Sequence, residues 1–469
     1  MHRNRVLSTH HRIALWGLAG LCSIGGAFAQ EPPTQPTPPV DPFVKKAAKP
    51  DPQAAAAKPI SIPSDLHFGM AIISIPTQEY QNLMLQSAPS SAIYKRAKEL
   101  LSSGQATLED VESITTHNGQ RAVVTSVDEL QVPRSYTAPL NGSSTPQPSQ
   151  STLASTGYTW EMDAVAPPGQ MTTQVNTAIE QPQLLRYIGW KTGAAEPSQW
   201  QPEIEDRRLT LSAALAGPDP QFLGTFTHAE STFPKEGPPS APTVQLVFLR
   251  SQQTKYDKPL TSEPATSKTN NLRITCTYYS LDRKLALALL MDGATLGDTL
   301  HQAVLKQVNE QTATLEKVAS MVTRSGQRVA TGETIRFQHP VDAPAASAES
   351  VKTQDTGKSP AAQPKGYFTD FDTRNLGWRF EAEPVLDDKS GIVDLNISCE
   401  LSHYRGEQDK PAPDLPDQPA FDNQELVSSL FLTPGHYSLL GTFNPPHNTG
   451  LKRGDDGKVW FAFVSVTLD

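Results

Sequence analysis

The chain has 469 residues, a formal net charge of −9 at pH 7 and only three cysteines. The acidic balance argues against a nucleic-acid-binding protein, which would carry a basic surface. So few cysteines exclude a fold held together by a disulfide framework.

The N-terminus has the pattern of an export signal. Three arginines precede an apolar run, 13–29, which ends in the A-x-A cleavage pattern Ala27-Phe28-Ala29. We therefore expect a signal peptide over residues 1–29 and a mature chain that begins at Gln30, with three fewer positive charges. The apolar run is shorter than the roughly 20 residues of a spanning helix, so a retained membrane anchor is less favoured. Lipidation at Cys22 is also less favoured, because a leucine precedes it.

Polar and proline-rich segments mark the domain boundaries. Residues 30–61 are rich in Pro, Ala and Lys, and residues 251–271 are polar, so neither has enough large apolar side chains to bury a core. We expect a disordered linker at 30–61 and a second linker at 251–271, which separates two domains, 62–250 and 272–469. Similar composition predicts disordered loops at two inserts inside these domains, 134–156 and 341–365.

Each predicted domain opens with a strand and a helix. Residues 68–75 and 272–279 are rich in β-branched and aromatic side chains, which favours strands. Apolar residues then recur at three- and four-residue spacing, which predicts helices over 78–103 and 296–318.

Short strands are expected after each helix. Asn118-Gly119 and Ser325-Gly326 are turn dipeptides typical of hairpins, because glycine accepts a positive φ without steric cost. The last strand, 459–468, is apolar on both faces and should be central in its sheet. One strand, one helix and a series of antiparallel hairpins predict an α+β fold that is mainly antiparallel β.

The same series of phrases occurs twice along the chain. Residues 106–133 match residues 313–340 without a gap. Further matches follow in the same order: Gly157–Glu161 with Gly377–Glu381, Phe222–Phe226 with Leu439–Phe443, and Val244–Phe248 with Val459–Phe463. A period of roughly 200 residues is much longer than the repeats of a solenoid, so we predict two tandem repeats that are each a domain.

These phrases resemble the secretin-homology domain of type II and type III secretion and type IV pilus secretins. Ile114–Ala122 and Met321–Val329 resemble the family's V-T-x-x-N-G-Q-x-A phrase, and Gly377–Pro384 resembles its G-x-x-L/W-E-x-x-P strand pair. Phe222–Gly224 and Leu440–Gly441 resemble its V-L-G-G hairpin end, with Thr in place of the second Gly. The resemblance implies two degenerate tandem copies of this domain.

The sequence departs from secretins where a pore would form. The family's phrase V-P-x-L-G-x-I-P-x-L-G-x-L-F has no counterpart in residues 230–242 or 444–456, and no segment alternates like a lipid-facing strand. We therefore expect a periplasmic or outer-membrane-associated structural or accessory protein in envelope assembly, type II secretion or type IV pilus machinery. It would be a monomer or small homo-oligomer, with a secretin or pilus component as partner and peripheral membrane contact at most. A pore-forming outer-membrane secretin subunit remains an alternative.

Motifs of common enzymes are absent from the sequence, which has no His-Glu-x-x-His, Gly-x-Ser-x-Gly, Cys-x-x-Cys or glycine-rich phosphate loop. We therefore predict a non-catalytic protein with no catalytic, cofactor-binding or metal-binding residues. Asp387-Asp388 and Asp455-Asp456 occur in turn contexts, where Asp caps backbone NH groups. His117, His339 and His436 have no histidine at the matched position of the other repeat, which does not support a metal site shared by both.

Aromatic residues and cysteines leave two alternatives open. Four aromatic residues near loops could stack on sugars, so a periplasmic ligand- or glycan-binding module is the main alternative function; they are Tyr187, Trp190, Trp200 and Tyr404. Cys276 and Cys399 could form one disulfide in an oxidising periplasm or could be two small buried side chains. The second is favoured, because the first repeat has an isoleucine at the position of Cys399.

Overall fold

The structure is a computed structural model that describes residues 63–137, 147–167, 172–190, 199–227, 242–256, 271–293, 296–340, 371–407, 419–445 and 457–468. The predicted signal peptide at 1–29, the linker at 30–61, the insert at 341–365 and the acidic pair Asp455-Asp456 lie outside these residues. The description of the fold therefore begins at Pro63.

Sixteen strands in the described residues form two antiparallel sheets of eight strands each. The strands are β1 Ser64–Pro76, β2 Thr107–His117, β3 Arg121–Thr137, β4 Gln147–Val165, β5 Thr172–Trp190, β6 Gln199–Ala216, β7 Gln221–Thr227, β8 Thr243–Lys255, β9 Asn271–Asp282, β10 Ala313–Arg324, β11 Val329–Pro340, β12 Phe371–Leu386, β13 Val393–Glu407, β14 Pro419–Leu432, β15 Tyr437–Phe443 and β16 Lys458–Leu468. A few helices accompany them, which confirms the predicted α+β, mainly antiparallel β, fold.

The strand order is the same in the two halves of the chain. Sheet A has the order β10-β9-β16-β15-β2-β1-β8-β7, and sheet B has the order β11-β12-β13-β14-β3-β4-β5-β6. The first half of the chain, 64–256, and the second half, 271–468, each supply four neighbouring strands to each sheet. The correspondence in sheet A is therefore strand by strand: β10 matches β2, β9 matches β1, β16 matches β8, and β15 matches β7.

The helices are α1 Thr77–Leu85, α2 Ser90–Ser102, α3 Arg283–Leu287 and α4 Gly297–Asn309, with a π-helical turn, Ala288–Asp292, directly after α3. The helix predicted over 78–103 is interrupted, because Ser87 has a φ of +50° and Pro89 follows. The helix predicted over 296–318 is too long. Helix α4 ends at Asn309, and residues 313–318 belong to β10.

Two hydrophobic cores lie on opposite faces of sheet A. Along β1, Phe68, Met70 and Ile72 face the core between the two sheets. Ala71 and Ile73, which alternate with them, face the core between sheet A and the helices. Burial on both faces explains why β1 and β16 are continuous apolar runs. Strand β16 lies between β9 and β15, which confirms its predicted central position.

The turns at Gly119 and Gly326 carry the chain from sheet A to sheet B. Each glycine has a positive φ, +86° and +75°, as the turn prediction requires. The strands on either side belong to different sheets, however, so the prediction that these turns close hairpins is wrong. The amide of Gly119 donates to Ala164 O over 2.8 Å, and that of Gly326 donates to Pro384 O over 2.7 Å.

Two segments predicted to be irregular are partly strand. Strand β3 continues to Thr137 and β4 begins at Gln147, so most of the first insert, 134–156, is a long hairpin rather than a disordered loop. Strand β8 continues to Lys255 and pairs with β1 along its length, so residues 251–255 are not linker. In both places the partner strand satisfies the backbone hydrogen bonds, which composition alone does not reveal.

Candidate assembly surfaces and the junction between the halves

The two halves of the chain join edge to edge in both sheets. In sheet A, β15 meets β2 where Gly441 pairs with Ile114. In sheet B, β14 pairs with β3 over seven residues, from Phe421 opposite Glu129 to Val427 opposite Val123. We call these contacts of β2 and β3 with β15 and β14 the junction.

A glycine allows the two backbones to approach at the junction. A Cβ atom at Gly441 would overlap Leu426 Cδ1 and lie 2.9 Å from Ser113 O. The next residue completes the contact, because the amide of Ser113 donates to Thr442 Oγ1 over 2.6 Å and Thr442 Oγ1 donates to Glu112 Oε2 over 2.8 Å. The glycine of the Leu-Gly phrase therefore has a steric role at the junction.

A buried polar cluster lies beside the junction and links sheet A of the first half to sheet B of the second half. The side chain of Asp65 in β1 is fully buried, and its Oδ1 lies 2.7 Å from His117 Nδ1 in β2. Asp65 Oδ2 accepts from Tyr256 Oη and from the amide of Phe431, both over 2.9 Å. The other ring nitrogen of His117 lies 2.9 Å from Asp394 Oδ1 in β13. We call these five residues the junction cluster.

The cluster is arranged for a protonated histidine. Both ring nitrogens of His117 face carboxylate oxygens, and only an imidazolium donates from both. Burial by itself lowers the pKa of His117, but the hydrogen bonds and charges of Asp394 and Asp65 outweigh burial and raise that pKa to about 9. Burial also raises the pKa of Asp65, and the donors around its carboxylate oppose that shift. The buried Asp65–His117 ion pair belongs to the first half, and the contacts that Asp394 and Phe431 make with it join the second half to the first.

The matching positions of the second half do not repeat the cluster. Asp65 pairs with His117 in the register of β1 and β2, and Asn271 pairs with Arg324 in the register of β9 and β10. The Asp65–His117 pair therefore occurs at the junction and has no counterpart at β10, the end strand of sheet A. Sequence reasoning missed this cluster. The signal was present as the difference between His117 and Arg324, which hold matched positions in the two halves of the chain.

Beyond the junction, both sheets end in strands that have no further described neighbour. We call β10 and β11 the free edge, and β7 and β6 at the other end of the sheets the opposite edge. The free edge carries large apolar side chains that are exposed, which are Leu315, Val318, Val322 and Ile335. Exposed apolar side chains along an unpaired strand are typical of a surface that another protein covers.

The first half shows what covers the equivalent positions. Leu108 and Val111 in β2 match Leu315 and Val318 in β10, and both are buried. Helix α3 of the second half packs there, with Arg283 Nη1 donating to Glu109 O over 3.0 Å. In the part of the chain that the structure describes, the free edge therefore has the apolar side chains of β2 without the helix and strand that bury them.

The histidines and acidic residues considered in the sequence lie apart. His339 is buried on β11, with its ring centroid 5.1 Å from that of Phe421. His436 pairs with Asp298 at a cleft of about 220 Å³. Asp387 accepts from the amide of Lys389 and from Ser390 Oγ, which is the expected turn role. No group of three or more His, Cys, Asp or Glu side chains suited to a metal ion occurs in the described residues.

The four aromatics proposed as sugar platforms do not share one site. Tyr187, Trp190 and Trp200 belong to the same end of the β5–β6 hairpin, where Gly189 pairs with Trp200. Tyr404 is on β13 and packs against Phe337 at 4.8 Å. A polar groove of about 530 Å³ on sheet B is lined by residues of β11 to β14, and none of the four aromatics lines it.

Comparison with solved structures returns secretins. The type II secretin GspD from enteropathogenic Escherichia coli is 14% identical, with a TM-score of 0.19 over 41% of this chain and 67% of that chain. The InvG secretin domain from the Salmonella SPI-1 injectisome is 11% identical, with a TM-score of 0.21 over 53% and 74%. The type IV competence pilus secretin PilQ of V. cholerae is 7% identical, with a TM-score of 0.20 over 87% and 62%.

Other comparisons find no relative. No protein-family model matches the sequence, and no curated protein sequence matches it either. Within the described residues, none of the helices has both the length and the apolar character needed to span a membrane.

Proposed function

We propose that this protein is an exported, non-catalytic structural component of the cell envelope, built from two degenerate, tandem secretin-like domains, that binds other proteins through its sheet edges. The observation that carries the proposal is the junction. One half covers the strand edges of the other, and among the described residues no strand covers the equivalent edges at the two ends of the sheets, where a partner would bind.

Matching details in the two halves support a duplication. The amide of Gly119 donates to Ala164 O in β4, and the amide of Gly326 donates to Pro384 O in β12, the strand that matches β4. Strand registers shift at Phe222/Gly224 in one half and at Leu439/Gly441 in the other, which places a β-bulge in the same phrase. Together with the matched sequence phrases, these contacts favour two copies of one domain.

The junction favours one partner for the free edge, which is a second copy of this chain. Strand β15 covers β2 inside the chain, and β7 and β10 are their counterparts at the two ends of sheet A. A second copy therefore offers, on its opposite edge, the counterpart of the strand that already covers β2. Such head-to-tail contacts are heterologous and would build a small oligomer.

The role of the junction cluster supports a structural function. Asp65 and His117 occur together in a buried position, which a general acid and base would also need. Here both ring nitrogens of His117 face carboxylates, and three donors surround the carboxylate of Asp65. The hydrogen-bonding positions that a substrate would need are therefore already filled by the protein. The cluster stabilises the contact between halves.

Site-specific cross-linking tests the proposal. A photoactivatable amino acid at Val322 on the free edge should cross-link the exported protein to a partner, and the same residue at Leu153 is the matched control. Leu153 is exposed to a similar extent, 46% against 49%, but lies on β4, five strands away from β11 in sheet B. Equal cross-linking at both positions, or none at Val322, would contradict an edge-directed assembly role.

Fractionation separates this proposal from its alternatives. We expect the mature chain, beginning at Gln30 by intact mass, in the periplasmic fraction without detergent and as a monomer or small oligomer. A large particle that needs detergent would favour the pore-forming secretin subunit instead. Binding to a glycan array that is lost on substitution of Trp190 or Trp200 would favour the glycan-binding module.

A further inference from the structure

Two cysteines from different sheets meet inside the second half. Cys276 lies on β9 in sheet A and Cys399 lies on β13 in sheet B, and both are free and buried. Both side chains belong to the core between the sheets. The pair is 123 positions apart in sequence, so only the packing of sheet A on sheet B brings the two residues together.

The two thiols are neighbours in this core. The Cys399 side chain lies near enough to Cys276 to hydrogen-bond with it. Tyr278 packs edge-on against Trp378 with ring centroids 6.1 Å apart, which closes this part of the core to solvent. A disulfide between facing sheets beside a buried tryptophan is a known arrangement in β-sandwiches.

We infer that Cys276 and Cys399 form a disulfide that links sheet A to sheet B when the chain folds in an oxidising compartment. This inference rests on the export that is part of the proposed function. The thiolate of one cysteine attacks a disulfide oxidant, such as oxidised glutathione or a disulfide-donor protein, and forms a mixed disulfide. The second thiolate displaces the carrier, so that two thiols lose two protons and two electrons and the oxidant becomes two thiols.

The position of the pair shows when the bond must form. Burial raises the pKa of the Cys276 thiol well above its usual range, and only a thiolate reacts with a disulfide. Both side chains are also buried, so a disulfide oxidant cannot reach the pair in the folded, reduced protein. The exchange has to take place during folding, before sheet B closes over sheet A.

The link would stabilise the free edge. Strand β9 is the direct neighbour of β10 in sheet A, and β13 is two strands from β11 in sheet B. Each half has one edge at the junction and one at an end of the sheets, and the second half ends at β10 and β11. The first half lacks this cysteine pair. Met70, opposite Glu112, holds the position that Cys276, opposite Ala319, holds in the second half.

Thiol counting after export tests the inference. The full chain is expressed with its leader in a host with an oxidising periplasm, quenched in acid, denatured and treated with a maleimide reagent, and its mass is measured. We expect no labelled cysteine in the mature chain before reduction and two after reduction. Cys276→Ala and Cys399→Ala should each leave one labelled cysteine. Two labelled cysteines in the unreduced wild-type chain would overturn the inference.

Refolding in vitro tests whether the two cysteines can form the bond, independently of whether the chain is exported to an oxidising compartment. Purified chain refolded with oxidised and reduced glutathione should form the same bond, and its Tm should lie roughly 5–10 °C above that of chain refolded with reductant. The Cys276→Ala/Cys399→Val variant should have one Tm in both conditions. A bond in vitro but not in the exported protein would support the site and contradict export. Failure to form the bond in vitro would overturn the site itself.

Discussion

Asp65 and His117 face each other across two neighbouring strands of the first half, with Asp65 Oδ1 and His117 Nδ1 2.7 Å apart, and both bind residues of the second half. Asp65 accepts from the amide of Phe431, and His117 contacts Asp394. The ring of His117 also lies 3.8 Å from the ring of Phe431, centroid to centroid. This ion pair is therefore part of the contact that holds the halves together.

The first prediction concerns the pH dependence of stability. The pKa of His117 is about 9 in the folded protein and about 6.5 in the unfolded chain, so its contribution is full below about pH 6.5 and is lost as pH rises through 9. We expect the free energy of unfolding to fall by about 2–3 kcal/mol between pH 6.5 and pH 10 from this group. Urea unfolding at a series of pH values measures the change.

His117→Gln is the control for this pH dependence. Glutamine keeps a donor near Asp65 but has no charge to lose, so the variant should be less stable at pH 6.5 and should approach the wild type at pH 10. A wild-type slope between pH 6.5 and pH 10 that the variant retains unchanged would show that other groups cause it.

The second prediction compares two ways of weakening the junction cluster. Asp65→Asn removes the buried one of the two counterions of His117, and we expect a loss of about 3–5 kcal/mol at pH 7. Tyr256→Phe removes one neutral donor at 2.9 Å from the same carboxylate, and we expect a loss of about 1–2 kcal/mol. Chemical denaturation at pH 7 measures both. An equal loss for the two variants would show that the charge of Asp65 is not what matters.

The third prediction concerns the glycine at the junction. Gly441→Ala would place its Cβ against Leu426 and 2.9 Å from Ser113 O, so we expect a loss of about 1–3 kcal/mol. Gly224→Ala is the matched control, because this glycine holds the same bulge position in the first half and its nearest neighbour would be Leu209 Cδ1 at 3.2 Å. It should cost less than about 1 kcal/mol. Similar losses in both variants would indicate a general bulge effect instead of a junction effect.

Local sequence signals predicted turns and apolar strands well and predicted their partners poorly. Gly119 and Gly326 were recognised as turns because a positive φ favours glycine, but no local signal says which sheet the next strand joins. Residues 313–318 have good helix formers, and pairing with β9 places them in a strand instead. The long β3–β4 hairpin was missed because its polar, proline-containing sequence has no strand pattern of its own.

The junction cluster could not be predicted from spacing. Asp65 and Phe431 are separated by 366 positions, and they come together only because β14 follows β3 in sheet B while β1 lies in sheet A. Comparison of the two repeats did identify His117 as a position where they differ. In the sequence this difference argues only against a shared metal site, and its structural meaning, a contact made in one place only, depends on the fold.

The last prediction concerns association through the free edge. Val318 and Val322 are four residues apart on β10, lie on the same face of the strand and are exposed at 53% and 49%. The Val318→Lys/Val322→Lys variant should lose oligomers that wild-type protein forms as its concentration rises, because charge on an open edge opposes strand pairing. Its stability should change by less than about 0.5 kcal/mol. Light scattering during size-exclusion chromatography measures the association, and Leu153→Lys, a substitution on β4, should behave as wild type. Wild-type protein that stays monomeric at every concentration would leave the free edge without this partner and contradict the prediction.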